Sequence, residues 1–216
     1  MPMIQNSRPC AALATVLSTA MLASHPVEAR MQQEPASVSE EDQVARATVA
    51  ADGATLEVAF DPAGQRLAVR YRISNTGDVP LAVFDRGDRH AVLTRKLVAG
   101  EVAAPRFEEG ADGLTLSHAA RALPSPAPTL PPVPLATKLA PGTSLDAAFA
   151  FDLSLAGEAA RVRWCLGVAR FDDATFEPDG SAGEVGLWTA PFEMAETQQL
   201  LCTPWFDMAA GTFATG

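Results

Sequence analysis

The densest polar cluster in the chain is Asp85-Arg86-Gly87-Asp88-Arg89-His90. Two carboxylates and an imidazole this close together are donors of the kind that hold a divalent cation. Arg86-Gly87-Asp88 also spells an adhesion tripeptide. The same composition suits a charged hairpin tip, because Asp and Gly favour turns and charges keep a turn in water. The tip reading is preferred, and it makes Asp85, Arg86, Asp88 and His90 a candidate loop-tip site.

A second acidic run, Phe171 to Glu184, carries Asp172, Asp173, Glu177, Asp179 and Glu184. Carboxylates are Ca²⁺ ligands, but the Asp-x-Asp-x-Asp-Gly spacing of a calcium loop is missing. A solvated loop is expected there, and no metal ligands are assigned. Ser117-His118 is the one Ser beside a His outside the N-terminal stretch. A hydrolase needs a nucleophile held by a base and an orienting acid. No Gly-x-Ser-x-Gly occurs, and His90 and His118 are the only histidines after residue 30. No catalytic residue and no cofactor are assigned; a hydrolase using His118 is the weakest of three functional readings.

Cys165 and Cys202 are the only cysteines beyond Cys10. No Cys-x-x-Cys redox motif is present and no histidine lies close in sequence, so a structural disulfide is expected. It would close a loop of thirty-odd residues, for roughly 3–4 kcal/mol of chain-entropy stabilisation.

These residues must be held by a framework, and the chain supplies one after a distinctive start. Arg8 precedes an apolar small-residue run, Cys10 to Ser24, and Val27-Glu28-Ala29 places small residues three and one before a cut after Ala29. That order predicts a secretory signal peptide over 1–29. The run is too short to span a bilayer. Residues 30–43 are polar and predict a flexible lead-in. The expected location is periplasmic or secreted, with no membrane insertion of the mature form. Heavy alanine use and only two lysines, Lys96 and Lys138, suggest a GC-rich bacterial source.

The net charge of −10 argues against nucleic acid, which requires a basic surface. Apolar residues at 48 % of 216 permit a core. From residue 44 the apolar pattern has period two. Leu56, Val58 and Phe60 alternate after the turn Ala51-Asp52-Gly53, predicting a hairpin of 44–50 with 55–60. Leu67, Val69, Tyr71 and Ile73 alternate with Ala68, Arg70, Arg72 and Ser74. Val79 to Asp85, Ala91 to Val98 and the start of Leu114 to Leu123 read as further strands. Leu145 to Leu155 and Val162 to Val168 alternate again, with Trp164 inward and Cys165 outward. Glu184 to Ala190 and Gln198 to Cys202 would close the fold.

Leu123 to Gly142 holds seven prolines and is expected as an extended crossing on the surface or at a sheet edge, not a central strand. The sum is an all-β, antiparallel, immunoglobulin-like sandwich of about seven to nine strands over 44–206, with a frayed tail at 207–216.

The string Tyr71 to Asp85 (YRISNTGDVPLAVFD) resembles a segment of bacterial extracytoplasmic immunoglobulin-like domains. Together with the turn Leu139-Ala-Pro-Gly142, it resembles the BsuPI-type proteinase-inhibitor fold. The resemblance implies a sandwich, and a proteinase inhibitor as an alternative activity. It carries no functional residues. The expected function is a non-enzymatic binding or assembly module whose partner is another extracytoplasmic protein, engaged through a sheet edge or loop.

Overall fold

A computed structural model describes residues 44–157, 159–182 and 185–215. The expected leader and lead-in, and Glu184, lie outside the described residues. In chain order the elements are β1 (Ala45–Ala51), β2 (Ala54–Ala63), β3 (Arg66–Asn75), β4 (Leu81–Val83), α1 (Arg89–Leu93), β5 (Arg106–Gly110), β6 (Gly113–His118), β7 (Leu135–Leu139), β8 (Ser144–Asp152), β9 (Arg161–Arg170), β10 (Glu177–Ala182), β11 (Val185–Thr189), α2 (Met194–Thr197), β12 (Gln199–Cys202), β13 (Phe206–Asp207) and β14 (Thr212–Phe213). The chain is all-β, and two sheets pack in a sandwich. One sheet runs β1-β2-β3-β8, and the other is built around β9.

Period two explains the packing. On β3 the apolar Leu67, Val69, Tyr71 and Ile73 are buried, while Arg66, Arg70 and Arg72 are exposed. The same alternation buries Leu114 and Leu116 of β6 and Val162, Trp164, Leu166 and Val168 of β9. These faces form one core between the sheets. Each large aliphatic side chain moved out of water there contributes about 1.5–3 kcal/mol. Trp164 lies at its centre, 4.8 Å from the ring of Tyr71 and 5.2 Å from Phe149.

Strand β9 has two partners on each edge. Val168 faces Val83 of β4 on one side and Gln199 of β12 on the other. Leu166 likewise faces His118 of β6 and Leu201 of β12. So β4 and β6 share one edge, and they change over at Gly167, whose carbonyl accepts from Phe84 N at 3.1 Å. A Cβ on Gly167 would meet the Ala119 Cα at 3.0 Å, so the close approach needs glycine. The β6–β9 pair is parallel, the one departure from antiparallel order among the described strands.

Several local expectations change. The structure has fourteen strands rather than seven to nine, because short pairings such as β13–β14 carry no periodic signal. Ala91 to Val98 is not a strand: Asp88 caps α1, accepting from Ala91 N at 2.8 Å, and the local cap wins over the apolar content. The proline-rich segment does end in an interior strand. Leu135–Leu139 contains no proline, keeps every N–H, and pairs as β7 between β11 and β4. Half of the expected acidic loop is β10, paired with β11. The expected frayed tail forms the β13–β14 hairpin instead, because Phe213 packs 4.9 Å from Phe60 and 5.2 Å from Phe206.

Candidate functional site

The polar cluster after β4 is not a loop tip. Asp85 is 0 % exposed and Arg86 5 %, because the chain runs inward from the buried Leu81–Phe84. Tyr71 Oη on β3 donates to Asp85 Oδ2 at 2.6 Å across the core. Arg86 Nε lies 3.0 Å from Asp85 Oδ1 and aims its hydrogen at Thr137 Oγ1, 3.2 Å away. A second guanidinium nitrogen donates to Gly100 O at 2.7 Å. Burial pushes the Asp85 carboxyl above the usual carboxylate range, opposed by the Arg86 charge and the Tyr71 hydroxyl. Burial, followed by the charge of Asp85, pushes the Tyr71 phenol up as well. Backbone completes the knot, with Ala103 N donating to Asp85 O at 2.9 Å. The cluster's work is to fold the stretch 85–104 back on itself.

Asp88 is spent on capping α1, and His90 sits on that helix, half-buried, with Nδ1 unpartnered. The six-residue cluster therefore separates into an inward ion pair and an outward cap. The adhesion tripeptide is not presented, since its Arg is buried.

His118 has both ring nitrogens committed. Trp164 Nε1 can only donate, and it donates to Nδ1 at 2.9 Å. The proton must then sit on Nε2, which donates to Ala103 O at 2.8 Å. Burial holds the imidazole down at about 4, with the Arg86 charge adding to the shift and the Ala103 carbonyl opposing it. A neutral ring whose one lone pair is taken by Trp164, and which has no carboxylate partner, has no free nitrogen to act as a base, so the His118 hydrolase reading is dropped. Ser117 points to the opposite face of β6.

Cys165 and Cys202 are directly opposed residues of β9 and β12 and form the expected disulfide. The acidic residues are dispersed. Asp172 caps a turn at Ala174 N, Asp173 pairs with Lys138 at 2.8 Å, and Asp179 pairs with Arg89 at 2.8 Å. Among the described residues no three His, Cys, Asp or Glu side chains are grouped to hold a metal.

What the structure brings together instead is a cleft of about 520 Å³ beside this network. Phe84, Ala103 and the His118 edge form its floor. One wall is α1 with the following loop, the second is β5–β6, and the third is the proline-rich segment. That third wall is pinned at both ends. Gln198 grips Ala120 twice, accepting from its N–H at 2.9 Å and donating to its carbonyl at 2.8 Å. At the far end Arg89 N donates to Val133 O at 2.9 Å and Leu135 N to Gly87 O at 3.0 Å. Gly87, at φ 71°, takes a left-handed backbone conformation, and a Cβ there would meet the side chains of Leu97 and Ala103 at 2.9 Å.

Each wall contributes one cation: Lys96, Arg106 and Arg121. The carboxylates on the lining are Asp88 and Glu108. Exposed apolar side chains stand on the same elements, with Leu93 67 %, Val98 63 %, Phe107 40 %, Leu123 43 % and Leu130 60 % exposed. Of these, only Asp88 was singled out from sequence as a site residue. They are single residues on separate elements, and no spacing rule links them.

Set against protein families, curated proteins and solved structures, the chain matches none.

Proposed function

We propose that this chain is an exported, non-enzymatic binding module that engages another extracytoplasmic protein through the cleft between α1, β5–β6 and the proline-rich segment. The observation that carries the reading is the cleft itself. It is preformed and much of its lining is apolar, with Phe84, Leu97, Ala103, Pro124 and Pro132 among its residues, and apolar concavities with a few polar groups mark binding sites. The His118 imidazole on its lining and the buried Asp85 behind it are already held in hydrogen bonds and an ion pair. Export rests on the leader pattern of 1–29. It is supported by the Cys165–Cys202 bridge, which an oxidising compartment keeps closed.

The test is site-specific photo-crosslinking in cells that make the protein. A photoreactive residue at Ala122 or Lys96 should trap a partner, and one at Thr48 on the outer face of β1 should not. Equal adducts from Thr48, or none from the cleft rim, overturn the proposal.

A second reading is the proteinase inhibitor implied by the BsuPI-type resemblance. It is favoured by the exposure of every residue from 121 to 130 between two pinned ends, as a presented loop requires. A protease panel checks it: no inhibition at micromolar protein removes it.

A further inference from the structure

We propose that the cleft takes an acidic segment of its partner, an extended stretch in which Asp or Glu side chains are interleaved with apolar ones. The proposal rests on the reading of the cleft as the partner site and names the chemistry of its occupant.

Charge is the first support. The chain carries a net charge of −10, yet Lys96, Arg106 and Arg121 converge on one cleft. Elsewhere some basic side chains meet carboxylates within 4.0 Å, Arg72 with Asp146, Lys138 with Asp173 and Arg89 with Asp179, and others, Arg46, Arg66, Arg70, Arg95 and Arg170 among them, do not. Lys96, Arg106 and Arg121 make no such pair among the described residues. Opposing them on the lining are Asp88 and Glu108, so three cations less two carboxylates leave +1. Asp88 already has an oxygen committed to the cap of α1. Cations left unpaired in a partly enclosed site are a standing attraction for carboxylates, stronger than on an open surface.

Arrangement is the second support. The cations come from three different walls, which suits several carboxylates spaced along a chain better than one compact anion. Apolar lining residues stand beside them: Leu97 next to Lys96, Ala104 near Arg106, and Ala122 and Pro124 after Arg121. An extended peptide presents both chemistries at intervals matched to such a rim.

The experiment is selection of a random-peptide phage library on the purified protein, with Ala122→Trp, which fills the cleft, as the counter-screen. Selected peptides are then measured by fluorescence anisotropy against the wild type and the Arg106→Glu, Arg121→Glu double variant. Near-UV circular dichroism verifies that both variants are folded. The expected result is enrichment of Asp and Glu beside apolar residues. Binding should be lost in Ala122→Trp and fall about tenfold or more in the double variant. It should also weaken as salt rises from about 0.05 M to about 0.5 M. If the peptides are neutral or basic yet are lost in Ala122→Trp, the acidic assignment falls while the cleft remains the site. If no peptide is selected, or none is lost in Ala122→Trp, both fall. Cosedimentation with phosphatidylglycerol vesicles through Arg106 and Arg121, with no peptide bound, makes the occupant a membrane and overturns the proposal.

Discussion

His118 is held neutral chiefly by its burial, and that has a pH signature. The unfolded imidazole takes a proton near its ordinary 6.5, whereas the folded one resists until about 4. Protons therefore favour the unfolded chain between those values, and stability should fall as pH drops through this window by roughly 3 kcal/mol. Urea midpoints from pH 7 to pH 4 should show that loss in the wild type and a much smaller one in His118→Gln. Asp85 works in the opposite sense, because its raised pKa favours the folded chain on acidification, so the comparison between the two proteins isolates the histidine. The Asp85–Arg86 pair makes a second prediction. Asp85→Leu leaves a buried guanidinium without its counter-charge and should cost about 3–5 kcal/mol, whereas adding Arg86→Met should recover much of that loss. Chemical denaturation of both variants decides it; equal losses would show that the pair is not the source. Position 118 was legible in outline, since it continues the inward face of Leu114 and Leu116. Asp85 was not: its partner Tyr71 lies 14 residues earlier on the other sheet, and a carboxylate's burial leaves no trace in local spacing.

The β9–β12 pairing and the proline-rich wall depend on distant fasteners. Cys165 and Cys202 close a loop with a sequence separation of 37 residues. Replacing both by Ala should lower stability by roughly 3–4 kcal/mol in the chain-entropy account. Denaturant midpoints of wild type, reduced wild type and the double variant test this, and coincident midpoints would contradict it. Gln198→Ala should leave the buried Ala120 N–H and carbonyl unpaired, costing about 1–3 kcal/mol. It should also speed amide exchange at Ala120 without moving that of β3. Uniform exchange across both elements would mean that Gln198 is not a local pin. Alternation made β3, β8 and β9 readable, because each turns its large apolar residues to one face; on β9 the other face, with Cys165 and Ala169, is buried as well. The helix α1 and strand β7 were misjudged for local reasons. In one a single capping Asp outweighed an apolar run, and in the other prolines masked the five proline-free residues beside them.

An acidic molecule that brings three cations without ion-pair partners among the described residues, Lys96, Arg106 and Arg121, together on one cleft has a built-in polarity of contacts, and export would present that face outside the cytoplasm. N-terminal sequencing of the protein recovered from the periplasm or medium should begin at Arg30; an intact Met1 terminus would remove the export reading and with it the class of partner. Residue order alone was enough for an all-β chain, an inward Trp164 and a cysteine pair, since a pleat alternates its side chains and two opposed thiols in neighbouring strands need no further design. The cleft and the ion pair beneath it came only from packing. Lys96, Arg106 and Arg121 sit on three separate elements, and what unites them is the inward turn at Asp85 and the grip of Gln198 on Ala120. Such contacts join residues far apart along the chain, and no periodicity encodes which of them will meet.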